Sequence, residues 1–360
     1  MNPGLDDVVV AETVLSHVDG VGGRLIVRGL ELEEIASRSF EAVVALLWDG
    51  LTSYPATEEA VRGALGAARP AAFEPLECLL PATDSLSPVE ALRLLLSGLP
   101  DASTFPHHVL AVAAVPVFVA AIARRRQGRA PVAPDAGLGH AADFLRMMRG
   151  EHASAAHVRA LETYLVTVAD HGLNASTFTA RVIASTRAGL LSSVVGALCA
   201  FKGPLHGGAP GPVLDMLDAI GSRANIHPWL TDALARDERL MGFGHRVYRV
   251  RDPRADVLKA TAAALQGDEN RIRFAQAVEA EALKLLARHK PGRPLDTNVE
   301  FYTALVLEAL AIPRDSFTNV FAAGRVAGWS AHVLEQERIG RLIRPQSRYV
   351  GAEPRRPQAA

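Results

Sequence analysis

Three histidines of this sequence stand in polar or glycine-rich breaks, and the residues around each suit a particular chemistry. In "FKGPLHGGAPGPVLDML", His206 is surrounded by Gly203, Pro204, Gly207 and Gly208, just before a helix expected to begin near Pro210. Glycines on both sides let a backbone or a ligand approach closely, and the helix N-terminus disfavours a second proton on the ring. A neutral imidazole there can donate a hydrogen bond to a carbonyl, although a lone loop histidine is more often structural or simply exposed. In "MGFGHRVYRVRDPRA", His245 follows a Gly-Phe-Gly turn and precedes Arg246, Arg249, Arg251 and Arg254, four arginines within nine positions. Such a density makes either a cationic surface for carboxylates and phosphates or a solvated basic face. Asp252-Pro253 fixes a turn that would hold Arg254 in one direction. In "VADHGLNASTFTARVIAST", Asn174 through Thr177 read as the cap of the next helix, which leaves the Asp170-His171 pair without a structural explanation. One acid completes the set. In "PLDTNVEFYTALVLEAL", Glu300 stands where a polar turn becomes an apolar helix, with Thr297 or Asn298 as cap and the helix dipole favouring its charge.

The elements that must position these residues are almost all helical. After an N-terminal stretch that can form a small hairpin, "VVVAETVLSHVDGVGGRLIVRG", apolar residues recur at helical spacing. The helical segments are "LEEIASRSFEAVVALLWDG", "SPVEALRLLLSGLP", "GHAADFLRMMRG", "AAHVRALETYLVTVADHG", "FTARVIASTRAGLLSSVVGALCAF", "PVLDMLDAIG" and "NRIRFAQAVEAEALKLLARH". Loops rich in Gly, Pro and basic residues interrupt them around 203–212, 241–254 and 290–298, which are the breaks that hold the residues above. The basic stretch "RRRQGRAPVAPD" at 124–135 reads as a solvated linker, and the tail "GAEPRRPQAA" has nothing to form a core.

Bulk properties narrow the function classes. The chain has 360 residues, 49% of them apolar, and 38 Lys and Arg against 39 Asp and Glu. That balance gives no electrostatic case for nucleic acid or an acidic membrane surface. Cys78 and Cys199 form no metal-ligand or redox motif, which points to a reducing compartment. The N-terminus lacks the basic and apolar regions of a secretory signal. The apolar run Val109–Ala123 is short for a bilayer span and contains Pro116, so it reads as a buried, kinked helix of a cytoplasmic protein.

Taken together, "GPLHGGA", "MGFGHRVYRVRDPRA", "ADHGLNASTF", "FAAGRVAGWSAHVLEQ" and "RLIRPQSRYVG" resemble the signature segments of the citrate synthase family, in the family's order and roughly its spacing over some 330 residues. The N-terminal stretch resembles the start of its shorter bacterial members. The resemblance implies an all-α fold, with a large helical domain at 1–207 and 306–360 and a smaller one at 208–305 that closes over the site. It also implies a homodimer without NADH control, no metal and no cofactor. The implied substrates are oxaloacetate and acetyl-CoA, condensed and hydrolysed to citrate and CoA. The positions matching the family's oxaloacetate ligands are His171, His245, Arg254 and Arg325, with Arg344 reaching in from the partner chain. Coenzyme A would lie along Met241, Gly242, Phe243 and Gly244, with Arg249 near its phosphates. His206 would stabilise the enolate and His245 would polarise the keto group. The family's base is usually an aspartate; here the matching position is Glu300, which extends the carboxylate by one methylene, on the order of 1 Å. A related activity that shares these residues is a 2-methylcitrate synthase using propionyl-CoA, and an alternative of another class is a non-catalytic metabolite-binding paralogue.

Overall fold

The computed structural model describes residues 4–5, 8–53, 56–207, 210–245, 247–265, 269–292 and 295–352, the side chains of residues 269 and 270 aside. Gly208, Arg246, Pro294 and the tail beyond residue 352 lie outside the described residues.

The expected hairpin gains a third strand. Strands β1 (Ser16–Asp19), β2 (Arg24–Val27) and β3 (Leu30–Glu31) form one antiparallel sheet in sequential order, with Ser16 opposite Val27 and Val27 opposite Leu30. Between β2 and β3 only Arg28 and Gly29 turn the chain, both at positive φ (52° and 85°), as a two-residue hairpin of the right twist requires. Arg28 tolerates this because its guanidinium is anchored, Nε donating to the Leu46 carbonyl at 3.0 Å.

Sixteen α-helices are present among the described residues. The helix His107–Arg126 is apolar on every side and buried from His108 to Ala123, the pattern of a central helix. It runs unbroken through Pro116 and packs against helices Glu58–Phe73, Pro88–Ser97, His140–Arg149 and Phe317–Ile339. It is long and apolar enough to cross a membrane, but here it lies in the core. Phe317–Ile339 is the second central helix, and Trp48 Nε1 donates to its Ser330 Oγ at 2.9 Å in the buried interior.

Two segments that read as single helices are each a pair. Ser39 stops the first and caps the second, accepting from Ala42 N at 3.1 Å, so the chain forms Leu32–Ala36 and Phe40–Trp48. The run 175–201 divides into Ala175–Ser185 and Leu190–Phe201 because Arg187 (φ 62°) and Gly189 (φ 87°) leave the helical region. The basic stretch at 124 is likewise only partly a linker. Arg124, Arg125 and Arg126 belong to the last helical turn, where cations meet the negative helix end, and the latter two pair with Asp84 and Asp315. Cys78 and Cys199 are free and exposed.

Helices Gly211–Ile220, Ile226–Ala235, Pro253–Ala264, Glu269–His289 and Val299–Ala309 form the part of the chain that follows the His206 loop. Pro253–Ala264 and Val299–Ala309 pack on each other and on Ala155–Val168. That junction brings the three polar breaks together.

Candidate active site

The first break lies between Ala155–Val168 and Ala175–Ser185. Asn174 caps the second helix, its Oδ1 accepting from Thr177 N at 3.1 Å and from Ser176 Oγ at 2.8 Å. Ahead of it Asp170 is locked by Ser16 Oγ and by His332, whose Nε2 is 3.3 Å away. This fixes the turn from which His171 points inward. Its Nε2 lies 3.3 Å from the Tyr248 hydroxyl and its ring 5.7 Å from that of His245. Burial, then the charges of Arg254 and Arg325, push the His171 pKa far down, so the ring is neutral.

His206 meets the same helix start. Its Nε2 accepts from the backbone N–H of Ser176 at 3.2 Å and lies 2.8 Å from Ser176 Oγ. A backbone N–H can only donate, so the neutral ring carries its proton on Nδ1. Ser176 N is one of the unpaired donors of a helix N-terminus, and a second proton on His206 would face that positive end. The helix terminus that His206 meets is therefore that of Ala175–Ser185, which its place in the sequence does not reveal. Trp329 Nε1 donates to Ser176 Oγ at 3.0 Å and holds the pair from the central helix.

The second and third breaks zip together. Phe243 and Thr297 form an antiparallel bridge, Gly244 N donates to the Asp296 carbonyl at 2.7 Å, and Asn298 N donates to the Gly242 carbonyl at 2.9 Å. Gly242 and Gly244 sit at φ 85° and 78°, and a Cβ on Gly242 would come within 2.8 Å of the Phe301 side chain. Both glycines are needed for this close pairing. Past the turn, the backbone N–H groups of Val247 and Tyr248 both donate to His245 Nδ1 at 3.0 Å, and Arg254 Nη2, also a donor, lies 3.2 Å from its Nε2. Burial and the neighbouring Arg254 charge lower the His245 pKa to about 4.

Asp252 caps the helix Pro253–Ala264 and grips Arg254 with two bonds, from Nε at 3.0 Å and from Nη2 at 2.8 Å. The same carboxylate accepts from Val299 N at 3.2 Å, so it also holds the start of the next helix. There Asn298 is the cap, accepting from Glu300 N at 3.0 Å, while Thr297 turns its hydroxyl away to Glu279. Glu300 is mostly enclosed. Burial raises its pKa to about 7 against the opposing charges of Arg239 and Arg254, with Asp252 adding to the rise.

Arg325 is 2% exposed and has no carboxylate within salt-bridge range among the described residues. Its Nε donates to the Val168 carbonyl at 2.6 Å, and burial, against the opposing charge of Asp170 and with the like charge of Arg254, lowers its pKa to about 10. A buried cation that no carboxylate touches directly, beside a second arginine and two neutral imidazoles, suits an anion. The structure thus gathers His171, His245, Arg254, Arg325 and Glu300, with His206 joined through Ser176. Arg249 and Arg344 are exposed. Arg249 N anchors its loop to the Gly20 carbonyl at 2.7 Å, and Arg344 follows Ile343, whose N–H donates to Ser185 Oγ at 3.1 Å.

A family model described as "Citrate synthase, C-terminal domain" matches residues 4–346. The chain belongs to the citrate synthase family. Within that family it is 40% identical to the citrate synthase of Haloferax volcanii over 97% of this chain and 95% of the relative. It is 36% identical to the 2-methylcitrate synthase of Mycobacterium tuberculosis over 98% and 91%. Among solved structures, the citrate synthase of Thermotoga maritima superposes with a TM-score of 0.85 at 35% identity, covering 98% of this chain and 97% of that one. A ternary complex of the Thermoplasma acidophilum citrate synthase with carboxymethyl coenzyme A and oxaloacetate superposes with a TM-score of 0.87 at 25% identity, covering 99% and 97%.

Several residues around this family site were not singled out by sequence pattern. Tyr248 spans His171 and His245, Ser176 holds His206, and Arg239 acts on Glu300. Tyr248 stands between two conspicuous arginines and Ser176 reads as part of a cap. Only their long-range contacts distinguish them.

Proposed function

We propose that this chain condenses acetyl-CoA with oxaloacetate and hydrolyses the thioester product to citrate and CoA. Oxaloacetate binds as a dicarboxylate to Arg254 and Arg325, with His171 and His245 donating hydrogen bonds. Its keto oxygen accepts from His245. Coenzyme A runs along Met241–Gly244, with Arg249 toward its phosphates. The Glu300 carboxylate takes a proton from the acetyl methyl group while His206 Nδ1–H stabilises the charge growing on the thioester oxygen. Base and donor act in one transition state because a thioester α-proton is only weakly acidic. The enolate carbon attacks the polarised keto carbon, forming citryl-CoA, and water then cleaves the thioester. The observation that carries this reading is a pair of buried arginines, Arg254 and Arg325, of which Arg254 also acts on a carboxylate, Glu300, whose proton affinity burial has tuned toward neutrality.

The active unit in this proposal is a homodimer in which Arg344 completes the neighbouring site, and the segment 208–305 closes on the remainder to exclude water. The residue 305 boundary falls inside the helix Val299–Ala309. The hinge on that side therefore belongs at the helix end, where Ala311 adopts φ 54°.

Thiol release from acetyl-CoA and propionyl-CoA, each with oxaloacetate, tests the proposal. Faster turnover of acetyl-CoA is the expected result. A strong preference for propionyl-CoA makes the chain a 2-methylcitrate synthase, and oxaloacetate-induced stabilisation without thiol release makes it a metabolite-binding protein.

A further inference from the structure

The segment that carries the base is bonded to a second carboxylate that the proposed chemistry does not use. Glu279, in the helix Glu269–His289, is 4% exposed. Its Oε1 accepts from Thr297 Oγ1 at 2.7 Å and from Arg251 Nη1 at 3.1 Å. Its Oε2 accepts from Tyr302 Oη at 2.5 Å and from Lys259 Nζ at 2.9 Å. Four donors occupy the four lone-pair sites a carboxylate offers.

The identity of those donors is informative. Burying a carboxylate is costly, and Arg251 and Lys259 would suffice to neutralise it. Two of the four partners are instead neutral hydroxyls that bracket Glu300 in the sequence, Thr297 before it and Tyr302 after it. Thr297 is also the residue bridged to Phe243 in the glycine turn. Arg251 lies on the loop between His245 and Arg254, and Lys259 on the helix that Asp252 caps. One buried group thus ties the segment carrying the base to the segment carrying the carbonyl donor and the anion clamp.

We propose that Glu279 is a positioning residue for proton abstraction, holding the Thr297–Tyr302 segment so that the Glu300 carboxylate meets the acyl group while Arg254 holds the acceptor. The inference rests on Glu300 as the base. A glutamate base carries one more rotatable bond than an aspartate, so any displacement of the backbone start is passed on with greater freedom at the carboxylate. Fixing that start matters correspondingly more.

The test uses full-length protein and initial rates of thiol release with acetyl-CoA and oxaloacetate. Thr297→Val and Tyr302→Phe each remove one tie without removing the charge, and each is expected to lower kcat about tenfold. Glu279→Gln is expected to lower it about a hundredfold, the scale of a 1 Å misplacement. In the two hydroxyl variants the KM for oxaloacetate should stay within about twofold, because Arg251 and Lys259 keep their carboxylate and the anion clamp is not the part displaced. The isotope effect with methyl-deuterated acetyl-CoA should rise as proton abstraction becomes limiting, and Thr297→Ser should restore the rate. Glu281→Gln, on the same helix but paired with His227 near the surface, should leave kcat unchanged. Wild-type kcat and isotope effect in Thr297→Val and Tyr302→Phe, with Glu300→Gln inactive, would overturn this inference alone. Turnover surviving Glu300→Gln would overturn the base assignment and this inference with it. The two hydroxyl variants decide the matter even if Glu279→Gln fails to fold.

Discussion

Glu300 is where burial and catalysis pull on the same atom pair. Enclosure lifts its pKa from 4.5 to about 7, so at neutral pH a substantial fraction is protonated and unable to act as a base. The expected consequence is a kcat/KM for acetyl-CoA that falls tenfold per pH unit below about 7, where an ordinary glutamate would hold its rate down to about 4.5. A pH series of kcat/KM checks this, and a flat profile between pH 5 and 7 would contradict it. Stability carries the complementary signature. Because the folded state binds this proton more tightly than the unfolded state, Glu300 costs nothing below pH 4.5 and costs progressively more as pH rises to 7. A rise of that size is worth about 3 kcal/mol, so Glu300→Gln should be more stable than the parent by up to that order at pH 8, with the gain shrinking toward pH 4.5. Urea denaturation at the two pH values measures it. Thiol release should be abolished in the same variant while oxaloacetate still stabilises it, since Arg254 and Arg325 remain.

At the level of elements, the packing of the helix Phe317–Ile339 decides where Arg325 stands. A Cβ on Gly328 would stand 2.3 Å from the Ala169 carbonyl, and one on Gly324 would stand 2.9 Å from the Leu165 carbonyl. Both obstacles are backbone and cannot rotate aside. Gly328→Ala should therefore push the helix off the 165–170 segment and cost about 1–3 kcal/mol. It should also raise the KM for oxaloacetate, because Arg325 is tied to Val168 and His171 follows the same segment. Normal affinity in a destabilised Gly328→Ala protein would refute the coupling. The four-residue spacing of Gly324 and Gly328 is itself a close-packing pattern, but nothing in the sequence names its partner, since Ala169 is distant in the chain. Caps were readable for the same local reason: Asn174, Ser87 and Asn298 all stand where polar residues precede apolar periodicity. The break at 186–189 was not, because a single glycine in a helical pattern is compatible with continuation. Glu279 was invisible too. In "AVEAEALK" it stands two positions from Glu281 and so on the opposite side of the helix, and only the tertiary fold says which of the two sides is buried.

For the whole molecule, the open question is whether a site is completed by one chain or by two. Arg344 is exposed on an extended arm that leaves the helix at Gly340, with Leu342, Tyr349 and Val350 also exposed along it. An arm bearing that much apolar surface fits against another copy better than against water. If it serves the neighbouring protomer, two separately inactive variants should complement each other. In a dimer of one Arg344→Ala chain and one Glu300→Gln chain, the first chain keeps its own base and receives an intact arginine from the second. The other site has neither. Random exchange at equal amounts puts half of the chains' dimers in this mixed form with one working site each, so about a quarter of wild-type activity should return. If Arg344 serves its own chain, each site in the mixed dimer retains one defect and mixing restores nothing. Thiol release measured before and after subunit exchange therefore separates the two arrangements, and it does so without requiring either variant to bind its ligands normally.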